Sequence, residues 1–386
     1  MVTTQTADNV LKSYYLDVVC DQLKKTINPL FAAIKQTSSD VWGRDVRKAV
    51  RVGINGGVGA GTETGDLPKA GGTPYVQFVS TLKNLYGTIE ISDKAIRASA
   101  NNEGAFVSLL NDSMEELVKS ASFQFGRMLF GDGSGKLCNI LGVHPSEKST
   151  FKVDTVQNIY EGMRVDLVNA NGKSHEKSVG VVAVDREENY VTLDCQHYQE
   201  TNNYSLYLQG SYRLEITGLK AIFDNPTLYG VSRAESTWLN PTTVEVDGEI
   251  TEDAILTAMD EVEAKSGGRP NFIVCSWGVR RALYKLLSTN KRVETLELEG
   301  GFRAISFNGI PVIADRFCPA NTMYLLNTDD FALHQLGDWQ WLEGEDGKVL
   351  KQIAGKAAYT ATLVKYAELM CYRPCGQARL TGITEA

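Results

Sequence analysis

From Val50-Arg-Val52 the chain runs into Gly53-Ile-Asn-Gly56-Gly57-Val-Gly59-Ala-Gly61-Thr-Glu-Thr-Gly65-Asp-Leu-Pro68-Lys69-Ala-Gly71-Gly72. Eight of the 35 glycines of this 386-residue chain fall in the 20 residues from Gly53 to Gly72, so this stretch cannot build a core of its own. It is followed by Tyr75-Val-Gln-Phe78-Val and Leu85-Tyr-Gly-Thr-Ile89-Glu-Ile91, where β-branched and aromatic residues recur as they do in strands. The pattern predicts a long hairpin with a flexible tip. Such a tip is either a mobile loop or an arm that docks on a neighbour, and the residues alone leave both open.

Outward from the hairpin the character changes several times. Residues 1–46 offer a helix from Val10 to Leu23 and then Asn28-Pro29 leading into Leu30-Phe31-Ala32-Ala33-Ile34, with no self-sufficient core. A basic cluster, Arg44, Arg47, Lys48 and Arg51, precedes the glycines; it could touch DNA or an acidic neighbour, and a solvated or ion-paired face is the commoner fate of such a cluster. After Asn101-Asn102, Phe106, Leu109, Leu110, Met114, Leu117, Ala121, Phe125 and Met128 recur at steps of three or four. This spacing predicts one amphipathic helix of about 28 residues, roughly 40 Å long, ending at Gly131. Residues 150–215 read as short strands separated by turns such as Asn171-Gly172, a small all-β insertion. Helix and strand then alternate: Thr251-Glu-Asp opens a helix with an acidic first turn, Asn271 to Cys275 is a strand, and Ser276 caps the next helix. A long strand is expected at Tyr359 to Met370.

This length suits two or three domains. With 43% hydrophobic and 22% charged residues the composition is that of an ordinary soluble protein, and no apolar run approaches the roughly 18–20 residues that span a bilayer. The N-terminus lacks the marks of a secretion signal, and seven scattered cysteines argue against a disulfide framework, so the chain is expected to be made and used inside a cell with its thiols reduced. A net charge of -8 speaks against capture of nucleic acid through a dominant basic surface, yet suits an acidic container that does not grip its contents.

Each enzyme-like motif fails at a named residue. Gly131-Asp-Gly-Ser-Gly135-Lys136 lacks the phosphate-loop spacing, with Phe130 where the first glycine should stand and Leu137 where Ser or Thr should hold magnesium. Gly59-Ala-Gly61-Thr-Glu-Thr-Gly65 misses the dinucleotide spacing by one residue. Val274-Cys275-Ser276-Trp277-Gly278 sits at a strand-to-helix turn, with Asp315 and His334 following in triad order, but Val274 stands where a nucleophile elbow needs glycine. Asp194-Cys195-Gln-His197 and Cys371-Tyr-Arg-Pro-Cys375 lack second pairs of metal ligands. No catalytic residue, cofactor or metal is expected.

The order of arm, glycine-rich hairpin, long helix, α/β region and return strand resembles the tailed-phage major capsid proteins of the Hong Kong 97 fold. The resemblance covers nearly the whole chain. It is carried locally by Leu82-Lys-Asn-Leu-Tyr-Gly-Thr-Ile-Glu-Ile-Ser-Asp-Lys-Ala, by Phe307-Asn-Gly-Ile-Pro-Val-Ile-Ala-Asp-Arg-Phe-Cys-Pro-Ala-Asn-Thr-Met-Tyr-Leu-Leu-Asn, and by the closing Leu369-Met-Cys-Tyr-Arg-Pro. It implies an α+β fold with an N-terminal arm (1–46), an extended loop (47–92), and a peripheral domain (93–149, 216–245 and 334–370) built on the long spine helix. An axial domain (246–333 and 371–386) and the β-barrel-like insertion (150–215) complete it. The loop would lie across an adjacent subunit, touching it through Gly56, Gly57, Gly59, Gly61, Thr62, Glu63, Gly65, Leu67 and Lys69. The implied protein is a virion subunit, assembled in the bacterial cytoplasm as hexamers and pentamers around double-stranded DNA without sequence-specific binding and without a membrane. Implied partners are a separate scaffolding protein, a portal protein at one vertex and a decoration protein. Lys69 lies at the loop tip, but no matching asparagine and carboxylate can be placed, so no cross-link between subunits is expected. The alternatives are an encapsulin-type compartment and, from another class, a serine hydrolase using Ser276.

Overall fold

The structure, a computed structural model, describes residues 28–94, 103–147, 149–195, 204–289, 294–297, 303–344 and 347–386. The helix expected at Val10 to Leu23, the Asn101-Asn102 helix start and His197 lie outside them. The fold is α+β, and the chain divides into two compact units, residues 127–221 and residues 1–126 with 222–386.

In the larger unit one strand organises a mixed sheet. Ala358–Cys371, the return strand expected from sequence, is 14 residues long. Along one edge it pairs antiparallel with Lys83–Ser92, from Ala358 opposite Ser92 to Ala367 opposite Lys83. Along the other edge it takes Phe331–Gln335, Gln340–Trp341 and Lys351–Gln352 in turn. Lys35–Thr37 adds in parallel beyond Phe331–Gln335. Because side chains alternate along a strand, Ala361, Leu363, Ala367 and Leu369 share one buried face. Lys365 shares that face at 1% exposure, hydrogen-bonded to Gln335 Oε1 at 2.7 Å and Asp338 Oδ1 at 3.0 Å. Its ammonium lies 5.8 Å from the ring centroid of Phe125, on the helix that covers the sheet.

That helix spans Glu103–Phe130, as its three-four period predicts. Met114, Val118 and Phe125 are buried, and Phe125 meets Phe31 edge to face at 5.2 Å. Close approach depends on glycine at two places. A Cβ on Gly87 of the sheet would stand 3.0 Å from Leu117 Cδ1, and one on Gly126 would stand 2.4 Å from Phe317 Cε2.

Two expectations shift here. Leu85 to Ile91 were expected to continue the hairpin, but they bind the return strand, because their pleat supplies the apolar face that the helix needs beneath it. The hairpin proper is Asp45–Arg51 paired with Tyr75–Thr81. The described end of the expected arm is likewise part of the body. Asn28 caps the short helix Pro29–Ala33, and Leu30, Phe31 and Ile34 are buried.

A second, seven-stranded sheet runs in the order Thr242–Gly248, Ala378–Ile383, Met323–Leu326, Phe272–Cys275, Ile310–Ala314, Arg303–Phe307, Glu294–Glu297. Helices Glu252–Ser266 and Trp277–Thr289 pack on it through Ile255, Ala258, Val262, Val279, Leu283 and Leu287. The first starts as expected, with the Thr251 hydroxyl accepting from the Ala254 amide at 3.1 Å, and stops at Gly267 in a left-handed conformation. The sheet begins at Thr242, four residues before the expected boundary, since that strand pairs in parallel with Ala378–Ile383.

The smaller unit is a closed six-stranded barrel around a core that includes Phe151, Ile159, Val165, Leu193 and Leu206. It includes Lys136–Val143, which lies before the expected start at 150; that strand is needed to close the barrel between Thr150–Val153 and Tyr204–Leu208. At its root Arg127 donates to the buried carboxylate of Glu215. Burial pushes Glu215 up, against the pull of Arg127.

Alanine in place of a helix-interior glycine ordinarily stabilises by about 1 kcal/mol. Gly126→Ala is expected to do the reverse, since its Cβ would meet the buried Phe317 ring, and to lower unfolding free energy by roughly 1–3 kcal/mol in urea titrations.

Candidate functional site

The hairpin is rooted by one aromatic residue. Phe78 is fully buried, 5.8 Å from the Trp238 ring in near-parallel stacking and 5.3 Å from Tyr229, while the Val79 amide donates to the Tyr229 carbonyl at 3.0 Å. Beyond Val52, whose amide donates to Pro74 O at 3.0 Å, the ladder ends. The tip is nevertheless narrow. A Cβ on Gly71 would stand 2.5 Å from the Gly57 backbone nitrogen, so the two legs touch through bare backbone. At the far end Gly65 N donates to Thr62 O at 3.2 Å, closing a turn.

The nine residues expected at a contact, Gly56, Gly57, Gly59, Gly61, Thr62, Glu63, Gly65, Leu67 and Lys69, all lie on this tip, and Leu67 is 89% exposed. Two more belong with it. Ile54 and Val58 are 84% and 90% exposed, so three aliphatic side chains stand in solvent on one projection. Their signal was present in the sequence as isolated large apolar residues inside a glycine run.

The basic cluster divides. Lys48 is half-buried, in an ion pair with Asp40 at 2.6 Å and 5.6 Å from the Tyr372 ring centroid. Strand alternation explains this, since Val46, Lys48 and Val50 share the inner face. Arg44 and Arg47 lie 3.8 and 3.5 Å from the Asp45 carboxylate at the surface, and Arg51 is exposed.

The hydrolase constellation does not assemble. The Ser276 hydroxyl accepts from the Val279 amide at 3.4 Å as a helix cap and donates to the Glu385 carboxylate. Glu385 also accepts from Asn321 N at 2.9 Å, and a Cβ on Gly278 would strike it at 2.2 Å. A carboxylate there suits the positive end of the helix. Both ring nitrogens of His334 are engaged elsewhere, Nδ1 with Ser39 O at 2.9 Å and Nε2 with the Tyr372 hydroxyl at 2.7 Å. Asp315 accepts from Phe317 N at 2.9 Å through Oδ1, while its buried Oδ2 has no hydrogen-bond partner. The Gly131 to Lys136 run is a tight connection in which Gly133 and Gly135 have positive φ and Ser134 N donates to Asp132 at 2.9 Å.

The projecting hairpin is thus the site-like feature of the molecule, beside a spine helix, a return-strand sheet and a second mixed sheet. Residues 198–348 match the sequence profile of the SU10 major capsid protein family. The subunit of the cyanophage A-1(L) capsid shares the fold with a TM-score of 0.57 at 13% identity, over 93% of this chain and 94% of that one. The SrpI encapsulin of Synechococcus elongatus aligns over 95% of both chains at 12% identity, with a TM-score of 0.47. A chain of the solved structure of Mycobacterium phage Bobi aligns over 99% of this chain and 98% of its own at 10% identity, with a TM-score of 0.46. No curated protein matches the chain in sequence. The profile match over residues 198–348 and the fold shared over nearly the whole chain both point to the capsid proteins of tailed phages as what this chain resembles.

Burial pushes the Asp315 carboxyl up to about 6, with the Phe317 amide and the Arg316 guanidinium opposing. Since that lies above its ordinary 3.8, the folded chain holds the proton more tightly than the unfolded one. The contribution is therefore fully present below about pH 4 and is lost as pH rises through 6. Asp315→Asn keeps an acceptor for Phe317 and is expected to melt higher than the parent at pH 8, by on the order of 3 kcal/mol at most. The gap should narrow at pH 4.5 in thermal scans.

Proposed function

We propose that copies of this chain tile as hexamers and pentamers into the icosahedral head of a tailed phage or prophage, each hairpin tip lying across the neighbouring subunit. The observation that carries this is the trio Ile54, Val58 and Leu67, held in solvent on a projection pinched at Gly57 and Gly71. Burying an aliphatic side chain gains about 1.5–3 kcal/mol, a gain the tip does not obtain from its own chain. The return-strand sheet and spine helix form the peripheral domain and the seven-stranded sheet the axial domain, whose copies gather around the five-fold and six-fold axes.

The net charge of -8 supports a lining that encloses double-stranded DNA without gripping it. Assembly takes place in the host cytoplasm with a separate scaffolding protein, a portal at one vertex and a decoration protein on the outer face. The subunit acts without catalysis, Ser276 serving as a cap. The SU10 family match favours a phage head over an encapsulin-type compartment.

The triple variant Ile54→Ser, Val58→Ser, Leu67→Ser is expected to keep the parent's melting temperature, because those side chains are almost wholly exposed in the subunit. Closed particles counted by negative-stain electron microscopy should fall at least tenfold, and parental yields would sink the proposal. Ser276→Ala should cost about 1 kcal/mol of stability through the lost cap and leave particle yield unchanged.

A further inference from the structure

We propose that the barrel unit carries a carbohydrate-binding groove on its outer wall, shaped for the pyranose rings of an oligosaccharide. Tyr204–Leu208 runs between Lys136–Val143 and Arg164–Asn169 in the closed barrel. Leu206 points into the core at 0% exposure, so Ser205 and Tyr207 on either side of it face outward. Ser205 stands opposite Asn139 and donates to its Oδ1 at 3.0 Å, and Tyr207 stands opposite Lys136. Over this wall lies an open groove of about 520 Å³, rimmed by Asp132, Tyr212 and Arg213. That volume falls within the roughly 300–1,000 Å³ of small-ligand sites.

The chemistry of the wall selects the ligand class. Tyr207 and Tyr212 stand at right angles, centroids 5.0 Å apart, and the Arg213 guanidinium lies 5.2 Å over the Tyr212 ring. The ring offered on the wall itself is therefore Tyr207. An aromatic face is electron-rich and receives partly positive C–H groups, and a pyranose presents such a C–H face with hydroxyls around its rim. Asn139 and Ser205 supply neutral amide and hydroxyl groups at that rim, and Asp132 supplies a carboxylate acceptor. Burial pushes the Asp132 carboxyl up, but the Ser134 hydroxyl and amide and Lys220 outweigh it and leave it below the ordinary aspartate value.

Small barrels bind both oligosaccharides and oligonucleotides on a strand face, and charge separates the two here. Single-stranded nucleic acid needs a cationic track beside its stacking rings. From Asp132 to Arg213 the chain has eleven Asp and Glu against eight Lys and Arg, and at the groove itself Lys136 and Arg213 stand with Asp132 in a mixed lining, two separate cations and not a continuous track. The inference is independent of the shell-forming role.

The test uses the full chain and saturation-transfer NMR with maltotriose, chitotriose, cellotriose, mannotriose and lactose, with oligo(dT) as the nucleic-acid probe. At least one sugar is expected to receive saturation at its ring C–H protons. Tyr207→Ala should weaken that binding at least tenfold with the far-ultraviolet circular dichroism unchanged, and Tyr207→Phe, which keeps the ring face, should retain it. Absence of transfer to every sugar in the parent chain overturns the proposal whatever the variants do. So does sugar binding that survives Tyr207→Ala, or oligo(dT) binding tighter than every sugar.

Discussion

The larger unit depends on one pairing, Lys83–Ser92 against Ala358–Cys371. It joins residues some 270 positions apart, so its closure entropy is on the order of 5 kcal/mol before any contact forms. Ten consecutive residue pairs and a buried face that is apolar but for Lys365 offset that. Until the return strand is in place the spine helix has no floor, and Phe331–Gln335 and Lys35–Thr37 have no edge to join. Contacts this distant make for slow folding.

Legibility followed the range of the physics. The spine helix, the Thr251 and Ser276 caps and the return strand are local periodicities and end signals, and they stand where the sequence places them. Strand partners are another matter. Leu85 to Ile91 has the same alternation whether it continues a hairpin or joins a distant strand, and only the need for a floor beneath Leu117 decides. Barrel closure is likewise a long-range condition, which is why Lys136–Val143 was not recognisable as its first strand. At the tip the glycines were legible, whereas Ile54 and Val58 acquire meaning only once seen in solvent. Lys48 lies on the same strand face as Val46 and Val50 and meets Asp40 there. The Glu385 carboxylate on Ser276 joins residues 109 apart and leaves no local mark.

Buried charge is placed where layers must meet in one register. Lys365 is held by Gln335 and Asp338 at the centre of the sheet, and Arg127 by Glu215 at the barrel root. Such groups add little net stability over apolar residues of like volume, yet a mismatched register would strand an ion in a dry interior at a cost of several kcal/mol.

The hairpin leaves the body by two short links. Only Leu82, buried, with its amide on Arg44 O at 2.8 Å, separates Tyr75–Thr81 from Lys83–Ser92. The other leg returns through residues 38–44 to Lys35–Thr37. In the sheet Lys83 is level with Ala367 and Gln335, and Thr37 with His334 one residue away, so both legs depart at one height from strands three spacings apart. At about 4.8 Å per spacing the footing is roughly 14 Å wide. A projection bolted at two such points resists twist as a bracket does, and a sideways load on its tip becomes shear across the sheet. In the proposed shell, strain in one subunit would be handed to the next along a stiff path, so that curvature is shared among many copies.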